Sequence, residues 1–150
     1  MATLGTMEDA KLITTNFNFS LLHPMMRQRV EYLAWDLIAA FNEQKTLTIF
    51  APFEGYRSPD RQYELYSQNP LVTKAIPWRS AHQYGLAVDF VAWTEQGWSW
   101  DDNHDWDILR RLAQENGLDC PITWDRAHVE HPVWADIRRA WRGATEHPTS

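Results

Sequence analysis

The run Leu86-Ala87-Val88-Asp89-Phe90-Val91 constrains the fold more than any other stretch of the chain. Its apolar and β-branched side chains, preceded by Gly85, predict a short buried strand. Asp89 is the one charge in it. A lone carboxylate among apolar neighbours costs several kcal/mol unless it is paired or bound to a metal. A fold built on this strand must therefore cover it and also bring partners to Asp89. One lies just upstream, where Ser80-Ala81-His82-Gln83-Tyr84-Gly85 sets an imidazole on the far side of a glycine turn. His and Asp are usual ligands of a catalytic zinc, which keeps three protein ligands and leaves a fourth position for water. A third ligand is on offer downstream, in Trp124-Asp125-Arg126-Ala127-His128-Val129-Glu130.

The rest of the chain supplies cover for that strand. Leu22, Met26, Val30, Leu33, Leu37 and Phe41 recur every three or four residues, which predicts a long core helix with Pro24 in its first turn. Leu47–Phe50 reads as a strand, and Ser58-Pro59 as the cap and first residue of a helix running to about Tyr66. Residues 68–79, with Pro70 and Pro77, read as a loop walling a cleft. Glu95–Asp102 reads as a polar turn carrying Trp98 and Trp100. Asn103 can cap a helix that presents Trp106, Leu109, Leu112 and Ala113 and stops at Gly117. Ile122–Trp124 predicts a short strand, and Pro132 opens a last helix with Val133, Ile137 and Trp141. The expected organisation is one α+β domain over residues 1–150, with an irregular arm at 1–18 and a tail at 144–150.

Composition removes several functional classes. Hydrophobic content of 44% with 23% charged residues belongs to a globular chain. A net charge of −6 without a basic stripe argues against nucleic acid. No run reaches the roughly eighteen apolar residues that a membrane span needs. Cys120 is the one cysteine and reads as a buried, inert thiol. Nine Trp are unusual, and most of them read as core rather than as a cleft wall for sugar or peptide.

Together the motif blocks carry a resemblance. Ser80-x-His82-x-x-Gly85-x-Ala87-x-Asp89, followed by Asp125-x-x-His128-x-Glu130, resembles the VanY-like, D-alanyl-D-alanine carboxypeptidase family of zinc peptidases. Glu54-Gly55-Tyr56-Arg57-Ser58-Pro59 resembles a block that precedes the metal motif there. The nearest branch is that of the peptidoglycan L-alanyl-D-glutamate endopeptidases, many of them phage endolysins. The likeness runs from about Leu22 to Val133. Ala127 and Val129 depart from the usual Pro and Phe, and an upstream Trp-Gly-Gly is absent. These departures bear on the path of the loop more than on the ligands.

The resemblance implies a small antiparallel sheet flanked by helices, in the hedgehog/D,D-peptidase-like fold. It implies Zn²⁺ held by His82, Asp89 and His128, with Asp125 as the catalytic base and Arg57 binding substrate or stabilising the transition state. Ser80 could simply cap or brace the turn, but the resemblance implies a hydrogen bond near substrate or ligand and places it among the substrate-binding residues. Glu130, sharing a strand face with His128, reads as the group that orients the ligand imidazole, with the role of base as the less favoured alternative. His131 fits either the site or a helix cap before Pro132, while His23, His104 and His147 read as structural or solvent-facing and Tyr84 as packing. The implied activity is hydrolysis of the L-Ala–D-Glu bond of the peptidoglycan stem peptide by a monomeric phage or prophage endolysin. A D,D-carboxypeptidase or D,D-dipeptidase of the same fold is the alternative, and an inactive zinc-binding module a third. Met1–Ala10 lacks the features of a signal peptide, so the expected address is the host cytoplasm until release to the wall.

Overall fold

A computed structural model describes residues 5–67 and 78–144. At the centre is strand β2 (Ala87–Thr94), in every case antiparallel to its partners. Strand β1 (Phe50–Glu54) pairs with one side of it. On its other side β3 (Gly97–Ser99) and β4 (His128–Glu130) lie end to end, β3 against residues 92–94 and β4 against 87–89. Helices α1 (Met7–Asn16), α2 (Pro24–Asn42), α3 (Pro59–Ser67), α4 (Trp106–Glu115) and α5 (Val133–Ala144) flank the sheet. This is the expected α+β architecture.

The pleat of β2 divides its residues between two environments. Val88, Phe90 and Ala92 are buried in the main core with Met26, Val30, Leu33 and Leu37 of α2 and Leu109 of α4. Phe50, opposite Ala92, stacks on Trp106 of α4 at 5.3 Å and so marks the core face. Asp89, Val91 and Trp93 take the opposite face. There the Trp93 indole donates to Asp9 of α1 at 3.3 Å. No helix among the described residues is long and apolar enough to cross a membrane.

Several local expectations are corrected. The arm over residues 7–16 is a helix, capped by Thr6 and buried only at Ala10 and Thr14, two small side chains one turn apart. So narrow a contact leaves no apolar stripe to read. The first strand is Phe50–Glu54 rather than Leu47–Phe50, because pairing with β2 sets its limits and leaves Leu47 78% exposed. Pro52 is tolerated there since β1, among the described residues, is a sheet edge. Gly97–Ser99 is a strand rather than part of a turn, reached by a tight reversal between the Thr94–Gly97 pair. Asp105, not Asn103, caps α4, accepting the Ile108 N–H at 3.3 Å. Ile122–Trp124 is no strand: Asp125 N–H turns back onto the Ile122 carbonyl, and pairing resumes at His128.

The tryptophans also depart from expectation. Of the nine, only Trp106 and Trp134 are buried. The loop expected over 68–79 falls mostly outside the described residues, as do His147 and the tail beyond 144.

Candidate metal centre

Sheet register assembles the site. Asp89 has His128 as its cross-strand neighbour in β4 and Glu54 in β1. His82 arrives from the short 3-10 turn Ala81–Tyr84, just before β2. Its Nε2 lies 3.3 Å from Asp89 Oδ1, and His128 Nδ1 lies 3.6 Å from the same oxygen. The three atoms fall within 4.8 Å of one another. Asp89 Oδ1 is buried yet accepts no hydrogen bond. A buried carboxylate oxygen facing two imidazole nitrogens is the donor set that a zinc ion takes, so these residues fit the metal.

Each imidazole is held from behind. His82 Nδ1 donates to the Gly55 carbonyl at 2.8 Å, which leaves Nε2 for the site. Ser80 Oγ accepts the His82 backbone N–H at 3.3 Å, and the His82 carbonyl accepts from Arg57 N–H at 3.0 Å. The turn closes at Gly85, with φ of 67°, where an added Cβ would come within 2.5 Å of the His23 backbone nitrogen. His128 is the mirror case: its Nε2 donates to Glu130 Oε1 at 2.8 Å and its Nδ1 faces Asp89.

The electrostatics follow from this crowding. Burial alone would push the Asp89 carboxyl up, but the His82 and His128 rings outweigh it and hold it well below the usual carboxylate range. Burial opposes the charge on His128, yet Asp89 and Glu130 raise it to about 9. Burial and the Asp89 charge push Asp125 up, against the lowering influence of His128, His82 and Arg57. Asp125 thus feels the charges of Asp89, His128, His82 and Arg57.

Arg57 is no surface charge. It is 7% exposed, with Nε and Nη2 paired to the two Glu54 carboxylate oxygens at 3.3 and 3.2 Å and Nη1 donating to Gln62 at 2.8 Å. Its Nη2 also lies 3.5 Å from Asp89 Oδ2. A β-bulge between Pro52 and Glu54 puts Glu54 opposite Asp89 and turns its carboxylate to the site face. Glu54 opens the sequence block that carries Arg57 and Gln62 lies three residues past its end, and neither was given a role. The signal was a second carboxylate three residues before Arg57. Gln83, equally overlooked, is buried and donates to the Arg57 carbonyl and to Gln62.

Other residues fall outside the centre. Ser80 caps the 3-10 turn. His131 caps α5, its Nδ1 accepting the Val133 N–H at 3.0 Å. His23 caps α2, and His104 lies 2.7 Å from Ser99 Oγ. Tyr84 packs against Trp78, Trp134 and Trp141. Cys120 is half-buried, and burial pushes its thiol up to about 12, which disfavours the thiolate.

No family model matches the chain. A curated protein does: the peptidoglycan L-alanyl-D-glutamate endopeptidase CwlK of Bacillus subtilis (strain 168) is 33% identical over 119 residues, 70% of this chain and 68% of that protein. The chain belongs to the VanY-like family of zinc peptidases. Among solved structures, this VanY-like chain is similar to the Serratia marcescens L-Ala D-Glu endopeptidase ChiX, with 25% identity and a TM-score of 0.51. That match covers 80% of this chain and 86% of the other. The vancomycin resistance D,D-pentapeptidase VanY is 18% identical with a TM-score of 0.48, over 75% and 76% of the two chains.

Proposed function

We propose that this chain is a zinc-dependent peptidase that hydrolyses the L-alanyl–D-glutamate bond in the stem peptide of peptidoglycan. The convergence of His82 Nε2 and His128 Nδ1 on the buried Asp89 Oδ1, which accepts no hydrogen bond, carries the reading. The relatives that act on the same bond support the choice of substrate. When bound, zinc would supply a Lewis acid that makes water a nucleophile near neutral pH. Asp125 takes the proton of the attacking water and hands it to the D-Glu nitrogen as its bond to the L-Ala carbonyl carbon breaks. Its raised affinity for a proton suits that exchange. Glu130 fixes the His128 ring, with Nε2 protonated and Nδ1 free to ligate. Arg57, anchored by Glu54 and Gln62, sets the Asp89 carboxylate and adds positive charge where the carbonyl oxygen becomes negative.

The proposal extends to a monomeric phage or prophage lysin, held in the host cytoplasm until it reaches the wall. Purified peptidoglycan digested by the protein, followed by labelling of new amino groups, tests the bond. D-Glu should appear as the new N-terminus, with loss of turbidity in permeabilised Gram-negative cells. Release of D-Ala or D-Ala-D-Ala without new D-Glu ends would establish D,D-cleavage in its place.

A further inference from the structure

The bulge that brings Glu54 to Asp89 also presents Phe53, and Phe53 does not belong to the metal centre. Its ring meets Trp98 of β3 at 5.1 Å and Trp100 at 5.2 Å, both edge to face. Trp98 in turn meets its cross-strand partner Trp93 at 5.1 Å. By the alternation of β2, Trp93 lies on the same sheet face as Asp89. An aromatic patch therefore continues the site along that face. It is open: Phe53 is 38% exposed and Trp100 51%. Arg126, beside Asp125, donates to Asp102 at 3.2 Å and ties the Trp100 loop to the loop of the candidate base. Trp98 is half-buried against the core and backs the two exposed rings, an arrangement that suits a binding surface.

We propose that Phe53, Trp98 and Trp100 form a platform for the N-acetylmuramyl sugar ring that carries the stem peptide. The inference rests on the L-Ala–D-Glu reading, since in that substrate only L-Ala and the lactyl ether separate the scissile carbonyl from the sugar ring. That link is about two residue lengths, roughly 7 Å at full extension, so the sugar must rest on surface beside the metal centre. Phe53 is covalently next to Glu54, the cross-strand neighbour of Asp89, and offers that surface. The perpendicular rings of Phe53 and Trp100, 87° apart, make a corner whose faces suit the apolar C–H face of a pyranose. Charge narrows the occupant further. The flanking residues Glu95, Asp101 and Asp102 are acidic, which disfavours an anionic polymer or a phospholipid headgroup and admits a neutral sugar.

Two substrates sharing one stem peptide test this, one bare and one amide-linked to N-acetylmuramic acid. The wild-type protein should favour the sugar-bearing substrate in kcat/KM by about tenfold, equivalent to ~1.4 kcal/mol. Trp100→Ala and Phe53→Leu should bring that ratio close to one, while Trp35→Ala on α2 keeps it. Titration with N-acetylmuramyl-L-alanine should shift the tryptophan emission of the wild type and not of Trp100→Ala. New D-Glu ends with a wild-type ratio near one, or a ratio that both variants retain, would overturn the platform and leave the function intact. Absent D-Glu ends with the emission shift preserved would overturn the bond and leave the platform intact. Conversion of a dimer to a monomer by Trp100→Ala, at unchanged ratio, would assign the patch to contacts between copies and overturn the proposal.

Discussion

The two imidazoles that face Asp89 are held by different means. His82 sits on a 3-10 turn braced by backbone: the Gly55 carbonyl takes its Nδ1–H, and its own carbonyl takes the Arg57 N–H. His128 sits on a strand, and a side chain, the Glu130 carboxylate, takes its Nε2–H. The first arrangement uses neutral groups that substitution cannot remove. The second uses a charge that can be deleted, and that charge helps raise His128 to about 9. One half of the centre is thus fixed by chain path and the other by electrostatics. Asp89 joins them because β2 lies between the two.

The largest effects should ignore this difference. If both rings ligate the metal, His82→Ala and His128→Ala should each lose bound zinc, about one per chain in the parent by elemental analysis, and with it all turnover. Full zinc retention in either variant would break the symmetry of the pair. Next comes Asp125, which belongs to the His128 half but serves the reaction. Asp125→Ala should keep its zinc and its melting temperature while kcat falls by roughly a hundredfold or more. A wild-type rate would take the proton-transfer role from it.

Glu130→Gln sharpens the comparison, having no counterpart on the His82 side. Zinc affinity should fall by roughly 10–100-fold, read by competition with a chelating dye. In the metal-free protein the same change should alter stability against pH. A histidine raised from 6.5 to about 9 on folding adds stability that is complete below pH 6.5 and lost as pH climbs through about 9. Thermal melts in EDTA should show that decline in the parent, and a smaller one in Glu130→Gln. Identical profiles would remove Glu130 as the cause.

The smallest effect is expected at Arg57, which braces the His82 half through its backbone and Asp89 through its side chain. Arg57→Lys keeps the charge but loses the planar fork that meets both Glu54 oxygens, so kcat/KM should drop by about tenfold, or ~1.4 kcal/mol. Unchanged kinetics would reduce Arg57 to a structural brace.

By itself the sequence determined what depends on neighbouring residues. The stripe from Leu22 to Leu37 specified α2, Ser58-Pro59 specified the start of α3, and the lone Asp89 in an apolar run demanded partners. Residue spacing also nominated His82, Asp89 and His128, since ligand chemistry is carried by side-chain type. Tertiary structure decided which nitrogen of His82 faces the centre, because that depends on a carbonyl 27 residues away, whereas for His128 the orienting Glu130 is a near neighbour in sequence. It also decided that β1 begins at Phe50 and bulges at Phe53, an outcome of register against β2 that no local periodicity encodes. Helix α1 escaped notice because it packs through Ala10 and Thr14 alone, and the partners that hold Arg57, Glu54 and Gln62, were decided only by the fold. Seven of the nine tryptophans lie outside the buried core for the same reason. Hydrophobicity says that a ring gains by leaving water, but only the packed fold fixes how much room the core has for it.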